Sequence, residues 1–292
     1  MAKCESIYPT PEIAMNMTAM YDQKLSQWPV TVEQTDIPTR YGLTHLNICG
    51  SKHAPPVILI HAMGVASTMW QPNVAALSDK YRVYAIDTIG DLGKSVLDQF
   101  DNYPKNGKAY SEWLLDIFAQ LKIDKADVIG ASMGGWIAMN LAIHAPDKVR
   151  RLALLGPMGL GYNFEVFYRL FSVLWRPTTA NQRSLIQWTI GENQKAQDAF
   201  GEYMFMATKC RGRLAVPLKL SGRQLKRILA PTLLCLGNND HPVGNPAPVA
   251  GRAKRFIPQL EVEIIPDTGH MMNVEEPELV NMRLIRFLEG SK

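Results

Sequence analysis

The sequence predicts an α/β fold: a mostly parallel sheet of eight strands, covered by helices on both faces and carrying a helical insertion. Three observations predict it. Apolar runs of strand length alternate with segments of helical period, the arrangement that gives parallel strands joined by crossover helices. The pentapeptide Gly130-Ala131-Ser132-Met133-Gly134 sits where one such strand passes abruptly into a helix. Between about residues 158 and 225 the alternation stops and aromatic residues collect. At 292 residues the chain exceeds the common domain size, so one core interrupted by an insertion is expected.

Taken in order, residues 10–27 predict a short helix with Ile13, Met15, Met17 and Met20 on one face, docked on the body of the protein. Polar and proline interruptions from Glu5 to Asp22 argue against a signal peptide or a membrane span. Strands are expected near 29–37, 43–49, 56–61, 81–86, 126–130, 150–155, 231–236 and 260–265. Ser111 to Lys122 carries Trp113, Leu114, Ile117, Phe118 and Leu121 at helical spacing, with Ser111 as the expected N-cap. Asp87, in the loop after the fourth strand, reads as a carboxylate that accepts main-chain donors in a turn. Glu276 to Leu288 predicts a closing helix with Val280, Leu284, Phe287 and Leu288 inward. The expected organisation is a core, residues 1–157, a helical cap, 158–225, and the rest of the core, 226–292.

The pentapeptide carries the chemistry. A serine hydroxyl is a weak nucleophile at neutral pH, and a sharp strand-to-helix turn lifts Oγ clear of the sheet towards a base. Glycines two positions either side of Ser132 remove the Cβ atoms that such a turn would bring into collision. An acid and then a histidine should follow on loops after later strands. Asp240 follows the run Leu233-Leu234-Cys235-Leu236, and His270 follows Val262-Glu263-Ile264-Ile265. Ser132, Asp240 and His270 are therefore the expected nucleophile, orienting acid and base. His241 is set aside because a side chain adjacent to Asp240 in the same loop rarely faces it, and Asp267 is a weak rival for the acid. The expected oxyanion donors are the backbone N–H groups of Met133 and of Met63, the latter in the loop His61-Ala62-Met63-Gly64 after the third strand.

With these residues in view, the chain resembles the α/β-hydrolase fold proteins, and within them the bacterial carboxylesterases of the naproxen-esterase type. Trp28-Pro29-Val30, Ser67-Thr68-Met69-Trp70, Ile89-Gly90-Asp91 and Trp113-Leu114-Leu115-Asp116 carry the likeness along with the elbow, over nearly the whole chain. The resemblance implies the same triad and oxyanion hole. Two positions depart from it: Ala62 stands where most members have Gly, and Asp240 where relatives of that type have Glu.

The expected activity is a cofactor-independent serine carboxylesterase acting on small to medium, fairly apolar esters through an acyl-enzyme. The same triad would also open a lactone or cleave a carbon-carbon bond in a dienoic acid. A ligand-binding protein without turnover is the rival from another class. A dehalogenase or epoxide hydrolase would carry aspartate at the elbow. The aromatic insertion is the expected wall of the acyl or aryl pocket, with His61, Phe164, Phe167, Trp188 and Met204 as substrate contacts.

Other features exclude more than they assign. A net charge of +4 is too small for a nucleic-acid footprint. From Tyr203 through Asn239 there is no acidic residue but seven basic ones, from Lys209 to Arg227, which read as a solvated edge or, alternatively, as a site for a substrate carboxylate. The four cysteines have no paired spacing, so free thiols, no metal and a cytoplasmic location are expected. The expected partner is a small-molecule ester, with no nucleic acid and no membrane; a homodimer stays open.

Overall fold

Pro56-Val57-Ile58-Leu59-Ile60 offers no polar residue to either side, which suits a strand covered on both faces. In the computed structural model, which describes residues 6–161, 164–176 and 178–290, successive residues of the central strands enter two separate cores. Ile58, Ile60, Val128, Leu152, Leu154 and Leu234 belong to one. Val57, Leu59, Ile129, Ala153, Leu233 and Cys235 belong to the other. The two-residue period of the strand thus divides one apolar run between two layers of helices.

The strands are β1 (Glu33–Thr39), β2 (Gly42–Cys49), β3 (Pro56–Ile60), β4 (Arg82–Ile86), β5 (Val96–Leu97), β6 (Ala126–Ala131), β7 (Val149–Leu155), β8 (Thr232–Gly237) and β9 (Leu260–Ile265). Their spatial order is β1-β2-β4-β3-β6-β7-β8-β9, with β5 paired to β2. From β4 to β9 every pairing along this path is parallel; β1, β2 and β5 are joined antiparallel. The sheet has nine strands where eight are expected, because a two-residue strand leaves no periodicity to read. Gly42, at φ +129°, lets β5 approach: a Cβ there would lie 2.1 Å from the Val96 carbonyl oxygen. The first strand begins at Glu33 rather than 29, where its register with Ile48 of β2 starts.

The N-terminal helix, α1 (Pro11–Leu25), docks as expected, capped by Thr10. Its buried face is Met17, Met20, Tyr21 and Leu25, whereas Met15 is 65% exposed. Met15 lies two residues from Met17, which turns it away from a face built on three- and four-residue steps. Tyr21 fixes the dock through hydrogen bonds with Ser67 Oγ (3.1 Å) and Asn47 Nδ2 (2.5 Å).

Helix α2 (Gln71–Ser78) precedes β4, and α3 (Gly107–Gln120) starts four residues before the expected cap. Asn106 is its N-cap, accepting from the Ala109 N–H at 3.0 Å. Ser111 instead lies buried inside the helix. Gly107 is required by close packing, since a Cβ would meet the Asn140 amide at 1.9 Å. Helix α4 (Met133–His144) follows β6. Between β7 and β8 run α5 (Phe164–Trp175), α6 (Thr179–Ile190), α7 (Gln194–Ala207) and the short α8 (Gly222–Leu225). Helices α9 (Pro246–Phe256), α10 (Met272–Glu275) and α11 (Pro277–Glu289) complete the chain. Among the described residues no helix is long and apolar enough to cross a membrane.

Candidate active site

The end of β6 forces an unusual backbone. Ser132 has φ 50° and ψ −113°, a conformation that an L-residue holds only when its surroundings fix it. They do so from both sides: the Ser132 N–H donates to the Leu155 carbonyl at 2.9 Å, while its own carbonyl accepts from Trp136 at 3.2 Å and Met158 at 3.1 Å. The flanking glycines answer to sterics, for a Cβ on Gly130 would stand 2.3 Å from the Gly134 carbonyl oxygen. Helix α4 begins at the next residue, so the Met133 N–H is one of the orphan donors of a helix N-terminus.

Asp240 and His270 come from the loops after β8 and β9. His270 Nδ1 lies 2.9 and 3.0 Å from the two Asp240 carboxylate oxygens. Asp240 also accepts from the Val243 N–H at 2.9 Å, which orients the carboxylate. Both side chains are buried. Burial lowers the affinity of His270 for a proton, but the charge and hydrogen bond of Asp240, with the charge of Glu275, outweigh it and hold the imidazole above its ordinary value. Gly156, which carries no signal in the sequence, makes this pairing possible: a Cβ would come within 2.8 Å of Asp240 Oδ2 and 3.3 Å of His270 Nδ1.

Ser132 and His270 share the wall of one cavity of about 80 Å³ with Ala62, Met63, Met158, Met204 and Met271. The rest of the wall is Val166, Leu185, Trp188, Thr189 and Pro242. No hydrogen bond joins Ser132 to His270 among the described residues; such contacts commonly tighten only when substrate is held. Three residues far apart in sequence are thus brought to one place, with Asp240 behind His270. Of the expected substrate contacts, Trp188 and Met204 line the cavity, and the side chains of Phe164 and Phe167 lie outside the described ones. None of the basic residues from Lys209 to Arg227 lines it, which removes the support for a substrate carboxylate held there.

His61 is corrected from substrate contact to loop support. It is 1% exposed; its Nε2 accepts from the Thr88 N–H at 2.8 Å, so Nδ1 carries the proton donated to the Ala62 carbonyl at 2.7 Å. Both ring nitrogens are therefore spent beneath the loop that bears Met63. His241 is likewise occupied: its ring stacks on Trp188 at 6.0 Å, and Nδ1 lies 3.0 Å from the Trp188 carbonyl oxygen. Asp267 is exposed. Asp87 serves a turn, accepting from Ser67 and Lys94 N–H groups at 2.9 and 2.8 Å. Among the described residues no cluster of His, Cys, Asp and Glu is arranged to hold a metal ion. Burial pushes the Cys235 thiol up to about 12, which suits a core side chain and not a nucleophile.

Asp91 secures the loop that presents Met63. Its carboxylate accepts from the Gly64 N–H at 3.1 and 3.2 Å and from the Leu92 N–H at 2.8 Å. Burial still dominates and pushes this carboxyl from 3.8 up to about 6. Because the folded value is raised, its contribution to stability is complete below the unfolded value and is lost as pH rises through about 6. Urea unfolding of the wild type and Asp91→Asn at about pH 4 and pH 7 should show the wild type losing about 2–3 kcal/mol relative to the variant at the higher pH. A difference that does not change with pH would contradict the assignment.

A sequence model described as the alpha/beta hydrolase family matches residues 57–283. The chain belongs to that family. This hydrolase is similar to the uncharacterized carboxylesterase nap of Bacillus subtilis, 32% identical over 280 residues that cover 92% of this chain and 91% of the relative. Crystal structures of carboxylesterase CesB (YbfK) and of naproxen esterase (carboxylesterase NP), both from Bacillus subtilis, match with TM-scores of 0.89 and 0.88. Each alignment covers 96% of this hydrolase, and they cover 100% and 99% of the two structures at 29% and 30% identity. The likeness to carboxylesterases of the naproxen-esterase type, read from the sequence, is met by these relatives.

Proposed function

We propose that this hydrolase is a serine carboxylesterase for small to medium, fairly apolar esters. The observation that carries the reading is one apolar cavity faced by both the strained Ser132 and a His270 whose far nitrogen is held by Asp240. In the first half-reaction His270 Nε2 takes the Ser132 hydroxyl proton as Oγ attacks the ester carbonyl. The oxyanion is met by the N–H groups of Met63 and Met133. His270 then returns the proton to the leaving alcohol, and an acyl-serine remains. Water, deprotonated by the same nitrogen, repeats the attack, releases the acid and restores Ser132. Asp240 keeps the Nδ1–H tautomer and offsets the positive charge that His270 carries between these steps.

The wall supports the substrate class, since every lining residue beyond Ser132, His270 and Thr189 is apolar. A cavity of about 80 Å³ suits short groups. Purified protein should therefore hydrolyse p-nitrophenyl acetate and butyrate faster than the decanoate, and a fluorophosphonate should label Ser132 stoichiometrically. Absence of labelling would favour a ligand-binding protein. Labelling with turnover only on lactones or dienoic acids would keep the nucleophile and replace the substrate class.

A further inference from the structure

Glu275 closes α10, five residues beyond His270, and is 2% exposed. Its Oε2 accepts from the Gly269 N–H at 2.6 Å and its Oε1 from the Met271 N–H at 3.0 Å. These are the two residues that flank His270. Among the described residues the carboxylate forms no ion pair with Lys or Arg; Lys195 reaches only the Glu275 main-chain carbonyl, at 3.4 Å. A buried charge without a cation is costly, and two main-chain donors are what it has in return. A buried apolar residue of similar size would avoid that cost but leave both N–H groups without this acceptor, so what the carboxylate does here is fix the main chain on either side of His270.

We infer that Glu275 is a positioning residue for His270: by gripping the peptide groups on either side, it sets where the imidazole points. The inference rests on the reading of His270 as the general base. The grip has a geometric and an electrostatic part. Both main-chain N–H groups are held by one rigid carboxylate, which fixes the height and tilt of the His270 backbone against the cavity. The charge acts separately. The groups facing Glu275 are His270 and Asp240, with Glu192, His241 and Asp267 around the adjoining cleft and Lys195 at its carbonyl. Of these, His270 gains directly, because the Glu275 charge favours its protonated form.

Fluorophosphonate labelling of wild-type Ser132 tests the underlying reading first and separately. Given labelling, Glu275→Gln should lower kcat on p-nitrophenyl butyrate by about 10- to 100-fold, the scale of a misplaced catalytic group. KM should stay within about twofold, and the acid limb of kcat/KM should move to lower pH as the charge beside His270 disappears. Glu275→Asp keeps the charge but is one methylene too short to span both N–H groups. It should restore the acid limb while recovering only part of kcat. A folded Gln variant with wild-type kcat and an unmoved acid limb overturns the inference. If the Gln variant does not fold, the Asp variant decides: reduced kcat at unchanged KM supports positioning and wild-type kcat refutes it. Failure of both to fold assigns Glu275 to stability alone and overturns it too.

Discussion

Ser132→Ala should reduce turnover of a p-nitrophenyl ester by about 10⁵- to 10⁶-fold, the cost of removing the nucleophile from a unit that works as a whole. Its stability should change by no more than about 0.5–1 kcal/mol. The two halves of this expectation come from different atoms of one residue. Everything that holds the elbow in place uses the Ser132 main chain: its N–H on Leu155, its carbonyl under Trp136 and Met158. Removing Oγ leaves those bonds intact and orphans no buried partner. The backbone strain at φ 50° is the same for Ala as for Ser. Residual activity would come from the oxyanion donors and the binding cavity. Steady-state kinetics beside a denaturation curve read both parts, and a variant within tenfold of wild-type turnover would refute Ser132 as nucleophile.

Much of this site was legible in the sequence because it is built where strands end. A strand buried on both faces declares itself by a largely apolar run, so β3, β6 and β8 could be located, and with them the loops bearing Met63, Ser132 and Asp240. The partly exposed edge strand β9 shows itself only in Val262-Glu263-Ile264-Ile265, just before the loop that bears His270. What stayed illegible depends on contacts between segments distant in the chain. Ser111 has the chemistry of an N-cap, yet Asn106 caps α3, and Gly107, the first helical residue, packs closely against Asn140. His61 opens the loop that bears Met63, but its ring turns away towards Thr88. Gly156 matters only through the Asp240–His270 pair that its missing Cβ admits. The cavity wall is the hardest case. Met158, Leu185, Pro242 and Met271 are single apolar residues among many, and only the packing of α6 and the loops decides which of them face Ser132. Glu275 had a faint signal, an acidic residue close behind the base, whose meaning appears only with its two main-chain donors.

Gly134→Ala should be the most destabilising single-methyl addition at the elbow, costing about 3–5 kcal/mol, a size reached by overpacking against atoms that cannot move. The added Cβ would stand 2.1 Å from the Ile60 carbonyl oxygen and 2.6 Å from that of His61. Both are main-chain atoms, at the end of β3 and the start of the loop that carries Met63. Strand β3 is hydrogen-bonded on both sides, to β4 and β6, so it cannot recede without breaking a central ladder. Helix α4 cannot recede either, because Gly135 already packs where a Cβ would lie 2.7 Å from the Pro157 ring. If the chain does yield, the displacement falls on the loop that bears Met63, and fluorophosphonate labelling of Ser132 should slow even in molecules that stay folded. Gly201→Ala, in α7 with nothing within 4 Å of the new methyl, is the matched control. It should be neutral or stabilising by up to about 1 kcal/mol through helix propensity. Urea unfolding of the two variants separates space from propensity: equal stability for both would mean that the elbow tolerates a side chain at Gly134, and the close approach of α4 to the end of β3 and the loop that bears Met63 would not be what demands glycine there.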